Sequence, residues 1–155
     1  MTMQGRTVFI TGGSRGIGRA IALKAAQAGA NVVIAAKTEV ETAKLTGTIY
    51  SVAEEIDAAG GKALPILLDV RDEQQIHAAM QQAARKFGGI DVLINNAGAI
   101  ALTGVEATSL KQYDLIQTIN HRATFICAQA ALPYLKQAQH PHILSLSPPV
   151  NMSPK

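Results

Sequence analysis

The stretch with the clearest chemical potential is residues 11–18, T-G-G-S-R-G-I-G, which lies between an apolar run and a helical pattern. The apolar run, residues 7–10, predicts a buried strand. Gly12 allows a tight turn, Gly16 lets the backbone approach a pyrophosphate, and Gly18 lets the helix pack closely against the sheet. The unpaired N–H groups of the first helical turn then face the anion. This unit of strand, turn and helix predicts a dinucleotide site.

The glycine spacing is G-x-x-x-G-x-G, which differs from the usual dinucleotide fingerprint G-x-G-x-x-G. Such a triplet alone also occurs in ordinary strand-to-helix turns. Here the flanking patterns fit on both sides, and a second motif, N-N-A-G at residues 95–98, directly follows a later predicted strand. We therefore interpret residues 11–18 as a cofactor site.

The elements that position these motifs alternate along the chain. Apolar runs predict strands at residues 7–10, 31–36, 62–68, 90–94 and 142–147. Helical patterns follow the glycine turn and occupy residues 48–59, the segment from an Asp72 cap to Phe87, and residues 109–136; a polar surface loop is predicted at residues 37–47. This alternation predicts an α/β fold, a Rossmann-type doubly wound parallel sheet of about five strands in the order 3-2-1-4-5.

Composition limits the possible classes. A chain of 155 residues that is 48% hydrophobic fits a single domain, residues 1–155. The net charge of +3 is scattered, without a basic run, so we expect no nucleic-acid or membrane-surface partner. No apolar run approaches the roughly 18 residues of a membrane span, and the polar start does not resemble a signal peptide. The single Cys127 excludes an internal disulfide. We expect a soluble, cytoplasmic protein.

Charges near the end of the second strand indicate which dinucleotide is bound. An acidic residue about 20 positions after the glycine turn would bind the ribose 2′-hydroxyl of NAD and repel a 2′-phosphate. Here the strand leads into Lys37, and Arg15 lies inside the glycine turn. Both cations can meet a 2′-phosphate, which favours NADP. The alternative is that both are solvated surface charges.

The combination of T-G-x-x-x-G-x-G after the first strand with N-N-A-G after the fourth resembles the short-chain dehydrogenase/reductase family. Stretches such as residues 60–65 (G-G-K-A-L-P) and 69–76 (D-V-R-D-E-Q-Q-I) resemble its hydroxysteroid dehydrogenase-like branch. The resemblance covers nearly the whole chain. It implies hydride transfer between a nicotinamide cofactor and a carbonyl or alcohol, with a hydrophobic or lipid-related substrate.

The resemblance also assigns cofactor contacts by position. It implies that Asp69 and Val70 contact adenine and that residues 96–98 lie beside the adenosine ribose. A turn or cap role for Asp69, and a simple turn at residues 95 and 96, remain the alternatives. The complete predicted cofactor set is Gly12, Ser14, Arg15, Gly16, Ile17, Gly18, Lys37, Asp69, Val70, Asn96, Ala97 and Gly98.

The family's catalytic tetrad consists of an Asn, a Ser and a Tyr followed four residues later by a Lys. Asn120 matches the first position by resemblance, although a structural role at a helix kink is the alternative. Ser147 is predicted to end the fifth strand, but the family's serine is the second of a Ser-Ser pair and that place is Pro148 here. Ser147 is therefore either the catalytic serine or a strand-end residue.

The chain contains no Tyr-x-x-x-Lys motif, because Tyr50, Tyr113 and Tyr134 are followed four residues later by Glu54, Gln117 and Ala138. The resemblance therefore predicts the N-terminal, NADP-binding portion of an oxidoreductase, truncated before the last strands and helices and inactive alone. The alternative is a non-catalytic NADP-binding or interaction module. We also expect a homo-oligomer through the helix at residues 109–136. No metal is expected, because only His140 and His142 lie close together, without further ligands.

Overall fold

The protein is described by a computed structural model that covers residues 2–41 and 46–147. Residues 42–45 of the predicted 37–47 loop, together with Pro148 and the residues after it, lie outside the described part. The strands are β1 (Thr7–Thr11), β2 (Asn31–Ala36), β3 (Lys62–Leu67), β4 (Val92–Asn95) and β5 (His142–Ser145). The helices are α1 (Gly16–Gln27), α2 (Ile49–Ala58), α3 (Glu73–Phe87), α4 (Leu110–Ile116) and α5 (Ala123–Leu135).

The five strands form one parallel sheet in the order β3-β2-β1-β4-β5, which confirms the predicted fold class and strand order. Because all strands are parallel, their carboxyl ends meet at one edge. The order reverses between β1 and β4, the place where open α/β sheets bind ligands. Residues 11–18 leave β1 and residues 95–98 leave β4 at this point, so the topology brings the two motifs together.

Helices cover both faces of the sheet over β1 to β4, whose alternate residues contribute to different cores, whereas all four residues of β5 are exposed. Phe9 of β1 packs in the core that includes residues of α3 and α5. Val8 and Ile10 pack in the other core, together with residues of α1 and α2. All five residues of β1 are buried, as expected for the central strand of a parallel sheet.

The continuous helix predicted for residues 109–136 is interrupted in its hydrogen-bond pattern. Residues Gln117–Arg122 between α4 and α5 are π-helical. Pro133 lies inside α5, which continues to Leu135. The predicted boundaries of the shorter elements agree within a few residues, except that β5 ends at Ser145 rather than Ser147.

None of the helices in residues 2–41 and 46–147 has the length and apolarity that crossing a bilayer requires.

Candidate functional site

The glycine-rich turn leaves the N-terminus of α1 open at the carboxyl edge of the sheet. Gly12 and Gly16 adopt positive φ angles of 68° and 53°, which side-chain-bearing residues rarely adopt. A Cβ added to Gly16 would meet no atom within 4 Å, so its backbone borders open space. The N-cap of α1 is Arg15, whose side chain makes no capping hydrogen bond, and the first turn contains no acidic residue. The helix N-terminus therefore keeps its positive potential for an external anion.

Hydrogen bonds directly connect the glycine-rich turn with the N-N-A-G segment. The side-chain Nδ2 of Asn96 donates to the carbonyl oxygens of Thr11 and Gly12, both at 3.0 Å. In return, the Thr11 hydroxyl oxygen accepts the backbone N–H groups of Asn96 and Ala97, each at 3.0 Å. These bonds fix the glycine turn against the end of β4. Asn96 thus has a structural function at the site in addition to any contact with a ligand.

Close packing at this junction requires glycine at two positions of the turn. A Cβ added to Gly18 would lie 2.5 Å from Asn96 Nδ2 and would overlap the carbonyl oxygen of Gly12. A Cβ added to Gly12 would lie 2.9 Å from the Cα of Ala97. The turn, the helix and the N-N-A-G segment therefore approach one another more closely than any side chain permits.

Two cations lie beside the glycine turn, at the end of β2. The Arg15 guanidinium donates to Thr38 Oγ1 at 2.6 Å and to the carbonyl oxygen of Gly47 at 3.4 Å. Lys37 is exposed and forms no ion pair or hydrogen bond within the described residues. Arg15 likewise has no carboxylate partner there, because the ion pairs of the described region involve Arg19, Arg71 and Arg122. Both positive charges remain available to an anion.

The carboxylate of Asp69 lies just after β3 and is held by Arg71. The Arg71 Nε donates to Asp69 Oδ1 at 2.9 Å and to Oδ2 at 3.0 Å, and its Nη2 also pairs with Oδ2. The side-chain hydrogen bonds of Arg71 are the main cause that lowers the pKa of Asp69, with a further contribution from the charge of Lys37. Asp69 is therefore an oriented, ionised acceptor at neutral pH.

These groups enclose a cleft of about 580 Å³ at the carboxyl edge of the sheet. Its walls include every residue predicted to hold the cofactor: Gly12, Ser14, Arg15, Gly16, Ile17, Gly18, Lys37, Asp69, Val70, Asn96, Ala97 and Gly98. The remaining wall residues, which the sequence analysis did not identify, are Ala36, Thr38, Leu68, Arg71, Ala99, Leu115 and Ile119. Ala36 and Thr38 flank Lys37, so the position of the strand tip could have revealed them. Leu115 and Ile119 belong to a distant helical segment, and no sequence signal marked them.

The two predicted catalytic residues do not line this cleft. Asn120 lies in the π-helical segment, where its Oδ1 accepts the N–H of Ala99 and its Nδ2 donates to the Ala99 carbonyl, both at 2.8 Å. These paired bonds connect the helical segment to the chain that follows N-N-A-G. These bonds give Asn120 a positioning function, and its part in the catalytic tetrad stays a prediction.

Ser147 does not end β5, as the sequence predicted, but lies two residues beyond it. The backbone N–H of Leu146 donates to the carbonyl of Asn95, the last residue of β4. Beyond that bond the strand has no parallel neighbour to continue against, which explains the early end. Ser145 occupies the strand end instead, and its Oγ accepts a hydrogen bond of 3.3 Å from Asn95 Nδ2.

Other reactive side chains of the described region do not form a second site. Cys127 is buried in α5, and burial raises the pKa of its thiol to about 12, so it is an unreactive core residue. His140 and His142 are exposed. In residues 2–41 and 46–147, no group of three or more His, Cys, Asp or Glu side chains is arranged to hold a metal ion.

Comparison with known proteins agrees with this geometry. Residues 6–151 match the family model described as short chain dehydrogenase. The chain belongs to this family of oxidoreductases, which use a nicotinamide cofactor. This confirms the resemblance inferred from the motifs.

Among individual relatives, hydroxysteroid dehydrogenase-like protein 2 of Homo sapiens is 59% identical over 152 residues, which are 98% of this chain and 36% of that protein. The same protein of Danio rerio is 60% identical over 98% of this chain and 37% of its own length. A dehydrogenase structure from Xanthomonas campestris has a TM-score of 0.93 and 54% identity, over 98% of this chain and 57% of that one. The chain thus spans about a third of the length of the curated relatives it matches.

Proposed function

We propose that this chain forms the NADP-binding part of a short-chain oxidoreductase that transfers hydride between the nicotinamide ring and a carbonyl or alcohol. The observation that carries the proposal is the pair of cations without carboxylate partners, Arg15 and Lys37, on the wall of the cleft. Arg15 is oriented by the neutral acceptors Thr38 and Gly47, so its charge is not compensated by the contacts that hold it. Such a cation favours a phosphate over a hydroxyl.

The residues of the cleft fit each part of a dinucleotide. The uncapped N-terminus of α1 and the bare backbone of Gly16 would bind the pyrophosphate. Asp69, ionised and oriented by Arg71, would accept from the adenine amino group. The bound cofactor supplies the hydride. The chain's own residues bind and orient it.

The residue at the end of β2 supports NADP rather than NAD. Ala36 is the last residue of β2 and lines the cleft, where an acidic residue would bind a ribose 2′-hydroxyl. Its methyl group neither accepts a hydrogen bond from that hydroxyl nor repels a 2′-phosphate. The positive charges next to this strand end are those of Arg15 and Lys37, whereas the nearby carboxylate of Asp69 is already paired with Arg71.

We propose that the chain alone binds NADPH without catalysing reduction, since its sequence contains no Tyr-x-x-x-Lys pair to supply the proton. A non-catalytic NADP-binding or interaction module is the second candidate. An assay of carbonyl reduction by the purified chain, followed as loss of NADPH absorbance, tests the proposal that the chain alone is inactive. Turnover above the buffer rate contradicts it.

The substrate is proposed to be hydrophobic or lipid-like. Leu115 and Ile119 line the cleft, and Leu115 is 41% exposed. Ile100 and Leu102 follow the N-N-A-G segment and are 78% and 91% exposed. Exposed apolar side chains beside a cleft are typical of a binding surface for an apolar ligand.

We further propose self-association through residues 109–136, where Leu110, Tyr113, Phe125 and Leu132 are exposed. These side chains give a second copy of the chain an apolar surface to bury. A reducing, cytoplasmic compartment is proposed from the single, buried Cys127.

Charge reversal tests the cofactor assignment. The double variant Arg15→Glu, Lys37→Glu is expected to lower the affinity for NADPH about 100-fold or more relative to NADH, because each cation contributes roughly 1.5–3 kcal/mol to a phosphate contact. Lys111→Glu, an exposed reversal outside the cleft, is the matched control. Binding is measured by the fluorescence of the reduced nicotinamide. Equal weakening of NADPH and NADH refutes the assignment to NADP.

A further inference from the structure

The edge of the sheet opposite the cofactor cleft is formed by the amino ends of the parallel strands. Each helix that connects two of these strands runs back from the carboxyl edge, so its last turn also lies at this amino edge. Basic residues collect there, either beside the first residue of a strand or at the C-terminus of a helix. We call this set the basic edge: Arg6, Lys24, Lys62, Arg85, Lys86 and Lys136.

The charges of the basic edge are not compensated by ion pairs. The ion pairs of the described residues involve Arg19, Arg71 and Arg122, none of which belongs to this set. Asp57 and Asp91 lie at the same edge, where each carboxylate accepts a backbone N–H, at 3.3 Å and 2.8 Å. Each helix C-terminus there contributes about half a negative charge. The six cations outweigh both contributions, so the edge keeps a positive potential.

The rest of the described chain has the opposite balance of charge. Apart from the Arg19–Glu55 ion pair between α1 and α2, it carries five Lys or Arg residues and eight Asp or Glu residues. The basic residues are scattered along the sequence, and the fold brings six of them to one edge. Such a separation of charge steers an oppositely charged partner toward one side of the molecule.

We propose that the basic edge is a docking surface for an acidic segment of another protein. Five strands spaced about 4.8 Å apart make the edge roughly 20 Å wide, and its cations lie on the sheet and on helices of both faces. Cations spread in this way suit several carboxylates on one segment rather than a single small anion in a pocket. The cofactor cleft lies at the other edge, so both sites can be occupied together.

The surrounding side chains favour a protein over a nucleic acid or a membrane. The exposed aromatic residues Tyr50, Tyr113 and Phe125 lie in the first turn of α2, in α4 and in the first turn of α5, away from the basic edge, so they offer bases no stacking platform there. The highly exposed apolar side chains of Leu102 and Val105 follow the carboxyl end of β4. From the opposite edge they do not reach a bilayer that the basic edge faces.

The test measures the binding of a defined acidic peptide to the chain in excess NADPH, which competes for the cations of the cleft. The probe is fluorescein-labelled decaglutamate, whose extended length of about 33 Å crosses the edge. We expect Lys86→Glu to weaken binding about 5-fold in fluorescence anisotropy at low ionic strength, because an attraction becomes a repulsion. Lys111→Glu, the same charge change on an exposed residue outside the basic edge, is the control and is expected to bind like the wild type.

Carbodiimide cross-linking, which joins carboxylates to lysine amines, locates the bound peptide. We expect conjugates at Lys24, Lys62, Lys86 and Lys136 and none at Lys111. The affinity for NADPH is expected to be the same in Lys86→Glu as in the wild type, and thermal unfolding confirms that each variant folds.

Three results overturn the proposal. Equal weakening by Lys86→Glu and Lys111→Glu means that the peptide responds only to net charge. Conjugates confined to lysines outside the basic edge place the peptide elsewhere. Phosphatidylserine vesicles or a single-stranded oligonucleotide that bind through the same lysines, while the peptide does not, assign the edge to a membrane or a nucleic acid.

Discussion

Gly18 offers a direct test of how closely α1 must approach the N-N-A-G segment. An alanine Cβ at this position would lie 2.5 Å from Asn96 Nδ2 and would overlap the backbone carbonyl of Gly12. The carbonyl belongs to the tight turn and has little freedom to move. Gly18→Ala must therefore displace the Asn96 side chain, the first turn of α1, or both.

The size of the effect follows from the bonds that Asn96 would lose. Its Nδ2 donates to the carbonyls of Thr11 and Gly12, each at 3.0 Å. Losing both lowers the free energy of unfolding by about 2 kcal/mol, at roughly 1 kcal/mol per bond. The backbone shift adds roughly 1–3 kcal/mol, as in other overpacked sites. At about 2–4 °C per kcal/mol for a chain of this size, the midpoint of thermal unfolding should fall by roughly 10 °C.

Thermal unfolding followed by circular dichroism measures this change, and NADPH titration of the same samples measures the accompanying loss of affinity. Gly104→Ala is the matched control, because Gly104 has a φ of −66° and an added Cβ there would meet nothing within 4 Å. If Gly18→Ala unfolds at the same temperature as Gly104→Ala, the close packing described here is not needed for stability.

Three further predictions follow from individual contacts. Asn120→Ala should lower the free energy of unfolding in urea by about 2 kcal/mol, because it removes both bonds to Ala99, whereas the exposed Gln117→Ala should not; equal stability of the two variants contradicts the positioning function. Arg71 lowers the folded-state pKa of Asp69, so this carboxyl adds stability above its unfolded pKa of about 3.9, which is lost as the pH falls through the lowered pKa. Arg71→Gln should therefore be less stable than the wild type at pH 7 and approach it in acid, and a difference that is independent of pH refutes this account. Phe125→Lys should abolish self-association in sedimentation velocity, and an unchanged oligomer places the interface elsewhere.

The fold and the cofactor cleft could be predicted because their signals are local. A strand, a glycine turn and a helix are contiguous in residues 7–27, and turn chemistry constrains their geometry. Parallel strands then fix where residues 95–98 must lie. For this reason, the residues predicted to bind the cofactor all lie on the wall of one cleft.

The structural features that could not be predicted from the sequence depend on contacts between side chains, most of them in distant segments. The π-helical interruption at Gln117–Arg122 lies where Asn120 forms hydrogen bonds with Ala99. The spacing of apolar residues along the helix does not predict this contact between distant segments. The buried face of α5 was equally hidden, since that helix is apolar on nearly all sides and small residues such as Ala130 and Ala131 form its core contacts. The Arg71 guanidinium could either extend into solvent or pair with Asp69, and the sequence alone does not determine which of the two occurs.

The N-termini of helices α1 to α4 differ in whether a side chain caps them. Thr48, Asp72 and Ser109 cap α2, α3 and α4 with side-chain oxygens, which satisfy N–H groups that would otherwise lack partners. Helix α1 begins instead with a basic N-cap and no side-chain cap, although each such cap is worth about 1 kcal/mol elsewhere. This helix alone of the four points its N-terminus into the cleft, beside Lys37 and the Arg15 guanidinium. A helix start without its own cap, beside cations that form no salt bridge, can gain from an anionic ligand what α2, α3 and α4 obtain from their own side chains.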